Sequence, residues 1–172
     1  MIPAGSIVAI LGGQRLFELW LSRRNLRLAL AEGGRERFPE RFWPIALMHG
    51  LFLPALWLES RRRPVRLDGV QLALLASLLS LELCRLSCIA SLGRRWNVRI
   101  VTVPGSPLVR RGPYRWLRHP NYLIVSLEFL LIPLLLGAPR SLAIFFPANL
   151  WLLRGRIKLE ERALAEAAAQ PA

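Results

Sequence analysis

Four apolar stretches dominate the chain, at residues 3–21, 42–58, 67–90 and 122–153. About 20 mostly apolar residues in a helix cross a hydrocarbon core of about 30 Å, so the first three qualify or come close as single spans. The fourth is too long, because at 1.5 Å per residue its 32 residues would form a helix of roughly 48 Å. Gly137, Ala138, Pro139 and Arg140 interrupt it with a helix stop and a charge. The pattern predicts an all-α fold: a polytopic membrane helix bundle of about five transmembrane helices with a C-terminal helical hairpin. It forms one membrane domain over residues 1–172, divided into a three-span bundle (1–98), a region with the hairpin (99–164) and an Ala-rich tail (165–172).

Charge gives the bundle a direction. The 172 residues are 53% apolar yet carry a formal net charge of +13, and the charge is confined to the gaps between apolar runs, which is a membrane signature. With the amino terminus outside, the cytoplasmic segments 23–41, 94–118 and 154–162 hold 17 of the 24 Arg and Lys residues. The outer loops hold only five, at positions 61, 62, 63, 66 and 140, and Arg15 and Arg85 lie within spans. Short loops rich in Arg and Lys stay cytoplasmic, so the segment before Tyr122 and the segment after Leu153 share that face. Nucleic-acid binding by the basic loops leaves the apolar spans unexplained, and no nucleic-acid partner is expected. Cys84 and Cys88 have no companions to complete a metal site and are expected to be packing residues, so no metal is predicted. The start of the chain lacks a positive n-region and a cleavage pattern, so the first apolar run is expected to stay in the mature protein.

Two polar motifs stand out on the cytoplasmic side. In GPYRWLRHPNY, residues 112–122, a glycine and a proline bend the chain and Pro120 sits where a helix begins. His119 or Asn121 is expected to cap that helix, and its free amide groups favour an anion. A plainer reading makes Tyr114, Trp116 and Tyr122 an interfacial aromatic belt, with Arg115 and Arg118 on lipid phosphates. The second motif, RIKLEE at residues 156–161, puts Arg156 and Glu160 four apart on one helix face, where alone they would make a surface ion pair. Brought together by the hairpin, the two motifs form one polar site.

The pairing of GPYRWLRHPNY with RIKLEE about 35 residues later, across an apolar hairpin, resembles the isoprenylcysteine carboxyl methyltransferase family and its phospholipid methyltransferase relatives. The likeness is specific over residues 104–164, and QRLFELWLSRRN (14–25) and SLGRRWN (91–97) look like the bacterial members. Arginine outnumbers lysine 23 to 1, which also points to a bacterial genome. The resemblance implies a membrane O-methyltransferase whose cofactor is S-adenosyl-L-methionine. The cofactor would lie against Ser106, Pro107, Leu108 and Val109, then Tyr114, with His119, Pro120, Asn121 and Tyr122 completing the wall and Glu160 closing the pocket. Arg156 would face the acceptor and, with His119 and Glu160, carry the reaction. The chain departs from the eukaryotic pattern at Asn121 and at Leu123 and Ile124, positions that bear on the acceptor.

Methyl transfer from a sulfonium to a carboxylate annihilates charge, so a dry site accelerates it and no general base is required. The expected acceptor is a lipid-tailed carboxylate or prenylated substrate. A phenolic or polyketide lipid, whose proton must leave, would use His119 or Glu160 as base, and a phospholipid headgroup is a further alternative. A nicotinamide-dependent membrane reductase and a non-enzymatic scaffold or transporter are the other classes considered.

Ionisable residues inside spans are functional candidates by default. Arg15 and Glu18, beside Gln14, are expected to neutralise each other across one turn, and Glu82 and Arg85 repeat the spacing. Glu128 has no partner within its own span, so it is expected to be protonated or turned inward and is a candidate for lining the acceptor or cofactor cavity. His49 is expected to be a hydrogen-bonded packing residue, and Trp43, Trp57, Trp96 and Trp116 to be interfacial anchors.

Overall fold

The computed structural model describes residues 2–62 and 64–168; Arg63, one of the charges expected on the outer side, and the tail from residue 169 lie outside the described residues. Among them are five α-helices: α1 (Ala4–Ala31), α2 (Phe42–Ser60), α3 (Gly69–Leu92), α4 (Pro120–Leu136) and α5 (Pro139–Ala168). Each boundary has a local cause. The Asp68 carboxylate accepts from Val70 N at 2.9 Å and Gln71 N at 3.1 Å to start α3, and Gly93 stops it at φ 55°. Pro120 opens α4, and Gly137, left-handed at φ 62°, ends it. Pro139 opens α5, whose next two amides donate to the Glu59 carboxylate at 2.8 Å each. The hairpin expected at residues 137–140 is therefore formed by a glycine stop followed at once by a proline start.

Two expectations are revised. The first span continues as helix well past residue 21, because SRRNLRLALA is rich in the helix formers Arg, Leu and Ala. The fold also contains two short strands: β1 (Arg35–Arg37) pairs antiparallel with β2 (Ile100–Thr102), with Glu36 opposite Val101. This ribbon joins two segments that an all-α reading leaves as loops. Two helical segments, Pro39–Ser60 and Gly69–Arg95, are long and apolar enough by themselves to cross a membrane. α4 is apolar but shorter, and α1 and α5 carry charges along part of their length.

The helices alternate in direction, and contacts sort the connections into two ends. At one end Ile2 and Val65 exchange backbone hydrogen bonds of 3.1 and 3.0 Å, beside Glu59 and the α4–α5 turn. At the other, Asn25 Nδ2 donates to the carbonyls of Gly93 and Trp96 at 3.2 and 2.7 Å, the Ser22 hydroxyl donates to Asn97 Oδ1 at 2.6 Å, and the β1–β2 ribbon closes over them. These are the two groups of segments that the Arg count assigned to opposite sides.

The apolar core lies between α2, α4 and α5, where Met48, Phe52 and Leu56 meet Phe129, Ile132, Leu136 and Leu153. The Phe52 and Phe129 rings stack at 4.2 Å, and His49 sits edge-on to Phe129 at 5.0 Å with its Nδ1 2.9 Å from the Ile45 carbonyl, the packing role expected for it. Large apolar side chains also point outward, among them Ile10, Trp20, Leu79, Leu83, Ile144 and Trp151, while Glu18, Arg85 and Glu128 are buried. Charged residues inside and apolar residues outside invert the arrangement of a water-soluble bundle.

Candidate functional site

Tyr122, in the first turn of α4, meets Arg156 and Glu160 from α5. Its hydroxyl donates to Glu160 Oε2 and accepts from Arg156 Nε at 2.8 Å. Arg156 also donates through Nη2 to the carbonyl of Val98, two residues before β2, which fixes the guanidinium from the ribbon side. Arg156 and Glu160 thus do not form the simple surface ion pair that their spacing suggested. Arg156 is only 7% exposed, and both side chains converge on one phenol. His119 immediately precedes α4. Its ring stacks on Tyr122 at 5.4 Å and 16°, with Nδ1 3.9 Å from Glu160 and Nε2 3.4 Å from Glu161. The expected side-chain cap is absent among the described residues: His119 occupies the cap position but contributes its carbonyl, which accepts from Tyr122 N at 3.2 Å. Its ring is left to face the carboxylates.

The 3-10 turn Gly112–Arg115 is set against the end of α3. A Cβ on Gly112, at φ 55°, would lie 2.1 Å from Ser91 Oγ, so only glycine allows this approach. The turn brings Tyr114 beside the Cys88 side chain. Burial, then the Cys88 thiol and the Glu160 carboxylate, push the Tyr114 phenol above its ordinary value, which puts Tyr114 within electrostatic reach of the same site. Trp116, by contrast, is 78% exposed and Arg118 extends into solvent, as the anchoring reading expects. Trp96 does not anchor: it is 2% exposed, because Asn25 Nδ2 donates to its carbonyl and folds it under α1.

The remaining predicted residues fall in three places. Pro120 is buried at the start of α4, and Asn121 beside it turns toward α3, where its Oδ1 accepts from Arg85 Nη1 at 3.4 Å. Ser106, Pro107 and Leu108 are exposed and Val109 half-buried, on a loop tied by Ser106 N to Val103 O and by Arg95 Nη1 to the Pro107 carbonyl. Among the described residues no hydrogen bond joins that loop to Tyr122, Arg156 or Glu160. Glu128 lies two turns deeper in α4.

Glu128 is turned inward as expected, but it is not alone. It accepts from Arg15 Nη2 at 2.5 Å and from Arg85 Nη2. Arg15 Nη1 donates to Glu18 at 2.8 Å, Gln14 Nε2 reaches Glu18 at 3.0 Å and Glu82 at 2.7 Å, and Arg85 lies 3.5 Å from Glu18 and 3.6 Å from Glu82. The two local pairs read from the sequence are therefore parts of one network across α1, α3 and α4. Three carboxylates against two guanidiniums in three apolar stretches of sequence was the signal for it, since an isolated charge in such a stretch is costly.

The site suits a cationic group. Carboxylates of Glu160 and Glu161 lie beside the stacked faces of His119 and Tyr122, and both features attract a cation. Residues 72–166 match the model of the isoprenylcysteine carboxyl methyltransferase (ICMT) family, a stretch that contains every residue of this cluster. The chain belongs to this family. It is 40% identical to YpbQ, an uncharacterised protein of Bacillus subtilis (strain 168), over 161 residues, covering 93% of this chain and 95% of that one. An uncharacterised Haemophilus influenzae protein is 24% identical over 152 residues, 88% of each chain. No solved structure matches. Membership of the ICMT family makes methyl transfer the chemistry against which the Tyr122, Arg156 and Glu160 cluster is read.

Proposed function

We propose that the protein is an integral membrane O-methyltransferase that uses S-adenosylmethionine to methylate a lipid-tailed carboxylate at the cytoplasmic face. The observation that carries this reading is the Tyr122 hydroxyl held between Glu160 and Arg156, inside the family-matched segment. When bound, the cofactor supplies an electrophilic methyl carbon on a sulfonium. Glu160, Tyr122 and His119 hold it, with Tyr114, Pro120, Asn121 and the backbone of residues 106–109 completing the wall. Arg156 binds the acceptor: its Nη1 has no hydrogen-bond partner among the described residues, while Nε and Nη2 are fixed by Tyr122 and Val98. A guanidinium fixed in this way presents its remaining N–H groups to a carboxylate without further ordering. Five helices cross the membrane with the amino terminus outside, and the acceptor's tail reaches the site sideways from the lipid.

Purified protein in bilayers, given methyl-labelled donor and a lipid extract from its host, tests the proposal. Label that appears in a lipid and is released by mild alkali marks a methyl ester; no label in any lipid would sink the proposal. A second reading, an acidic phenol or enol on a polyketide-type lipid, is favoured by the His119 ring facing two carboxylates, which suits it to take a proton. That acceptor would yield an alkali-stable ether, and His119→Gln would slow its methylation.

A further inference from the structure

Arg85 and Glu128 are each 1% exposed and do not touch the cluster formed by Tyr122, Arg156 and Glu160, yet one residue joins the two groups. Arg85, from α3, donates to Glu128 through Nη2 and to Asn121 Oδ1 through Nη1 at 3.4 Å, with Glu18 3.5 Å away. Asn121 and Glu128 are seven residues apart in α4, two turns and about 10 Å along one face, so a single guanidinium grips that face at both levels. Asn121 turns to this grip while the next residue, Tyr122, turns to Glu160 and Arg156.

The first turn of α4 needs such a tie. Pro120 has no N–H to donate, His119 gives no side-chain cap, and α5 hydrogen-bonds the turn from the other side through Tyr122. α1 packs along α2, and polar side chains link it to α3 and α4, so the network ties the first helix to α4. Within an apolar bundle these charges have few alternative arrangements, since breaking one pair leaves another charge uncompensated. The planar guanidinium reaches two carboxylates and an amide at once, which an ammonium group cannot do.

We infer that Arg85, braced by Glu128 and Glu18, is a positioning residue that sets Asn121 and thereby the orientation of Tyr122 at the methyl-donor site. The inference rests on the methyltransferase reading for its effect on the cofactor, though not for its effect on α4.

Arg85→Met, Arg85→Lys, Asn121→Ala and the double variant Arg85→Met/Asn121→Ala, each in lipid nanodiscs, test it. Amide hydrogen exchange over residues 122–126, calorimetric affinity for S-adenosylmethionine and thermal stability are the readouts. Arg85→Met and Asn121→Ala should each speed exchange over residues 122–126 but not over residues 130–136, and each should weaken affinity about tenfold. The double variant should be no weaker than Arg85→Met alone, because both changes cut the same link. Arg85→Lys should not restore affinity. If Arg85 only stabilises the bundle, Arg85→Met lowers thermal stability while exchange and affinity stay as in the parent, and that result overturns the inference. Should Arg85→Met fail to fold, Asn121→Ala with unchanged exchange overturns it equally. Wild-type protein that binds no donor would defeat the methyltransferase reading, and the exchange data would then decide the positioning role alone.

Discussion

Tyr122→Phe isolates one oxygen at the centre of the site. The variant keeps the ring that stacks on His119 at 5.4 Å and removes only the hydroxyl that donates to Glu160 and accepts from Arg156. Hydrogen bonds to charged groups contribute about 1.5–3 kcal/mol each, so the two together bound the loss at about 3–6 kcal/mol. Part is recovered, because Arg156 and Glu160 are one turn apart in α5 and can close on each other as a direct pair. A net loss of about 2 kcal/mol is the expected cost to stability, a fall in Tm of roughly 4–8 °C for a chain of this length. On the proposed function the cost is larger in kind: an Arg156 paired with Glu160 would be withdrawn from the acceptor, and Glu160 from the donor. We expect kcat/KM for methyl transfer to fall about 30- to 100-fold, or about 2–3 kcal/mol of transition-state stabilisation. Calorimetry with S-adenosylmethionine and filter-bound radiolabel in lipid extract measure the two effects separately. A variant of lowered Tm whose affinity and turnover stay within threefold of the parent would refute the role assigned to this hydroxyl.

Arg156→Lys keeps the charge but loses the geometry that holds Tyr122 and the Val98 carbonyl together; acceptor KM should rise at least tenfold, with donor affinity changing less, in steady-state kinetics. Gly112→Ala should displace the Tyr114 turn from Ser91 and cost on the order of 2 kcal/mol, seen as a lower Tm, with weaker donor binding by calorimetry. The Tyr114 phenol is pushed up by burial, so its neutral form stabilises the fold fully below the unfolded value of about 10, and that contribution is lost as pH rises toward the folded value. Thermal melts should therefore be flat from pH 7 to 9 and fall above 10, and Tyr114→Phe should reduce the alkaline slope.

Helix number, hairpin position and the grouping of loops were legible because each rests on a one-dimensional quantity. Apolar run length finds the helices, a Gly-Ala-Pro-Arg break finds the turn, and Arg counts group the loops by end of the bundle. The site was legible where a motif names its own partners: Tyr122, Arg156, Glu160 and His119 do meet. The β1–β2 ribbon was not, since three-residue strands such as Arg-Glu-Arg show no apolar alternation and pair only because Asn25 and Ser22 dock α1 on residues 93–98. Trp96 misled for a related reason, and the partners of Glu128, though not its inward turn, stayed hidden for the same one. A boundary tryptophan and a solitary carboxylate look like an anchor and an orphan until the fold brings Asn25 to one and two arginines to the other.

Why Tyr122 meets both Arg156 and Glu160 follows from helix geometry. Tyr122 lies 14 residues before the end of α4, about 21 Å from the turn, and Arg156 lies 17 residues into α5, about 25 Å from it. In the antiparallel pair these levels nearly coincide, with Glu160 a further turn, about 6 Å, beyond. Side chains on a helix lean toward its amino terminus, so Glu160 reaches back toward the hairpin and closes the gap, while Arg156 meets Tyr122 almost level and extends to Val98. The four-residue spacing that alone predicts a surface ion pair becomes, beside a tyrosine at this depth, a two-sided grip on one hydroxyl. The tight Gly137-to-Pro139 turn is thus part of the site's geometry as well as of its topology, since it fixes which turn of α5 stands opposite Tyr122.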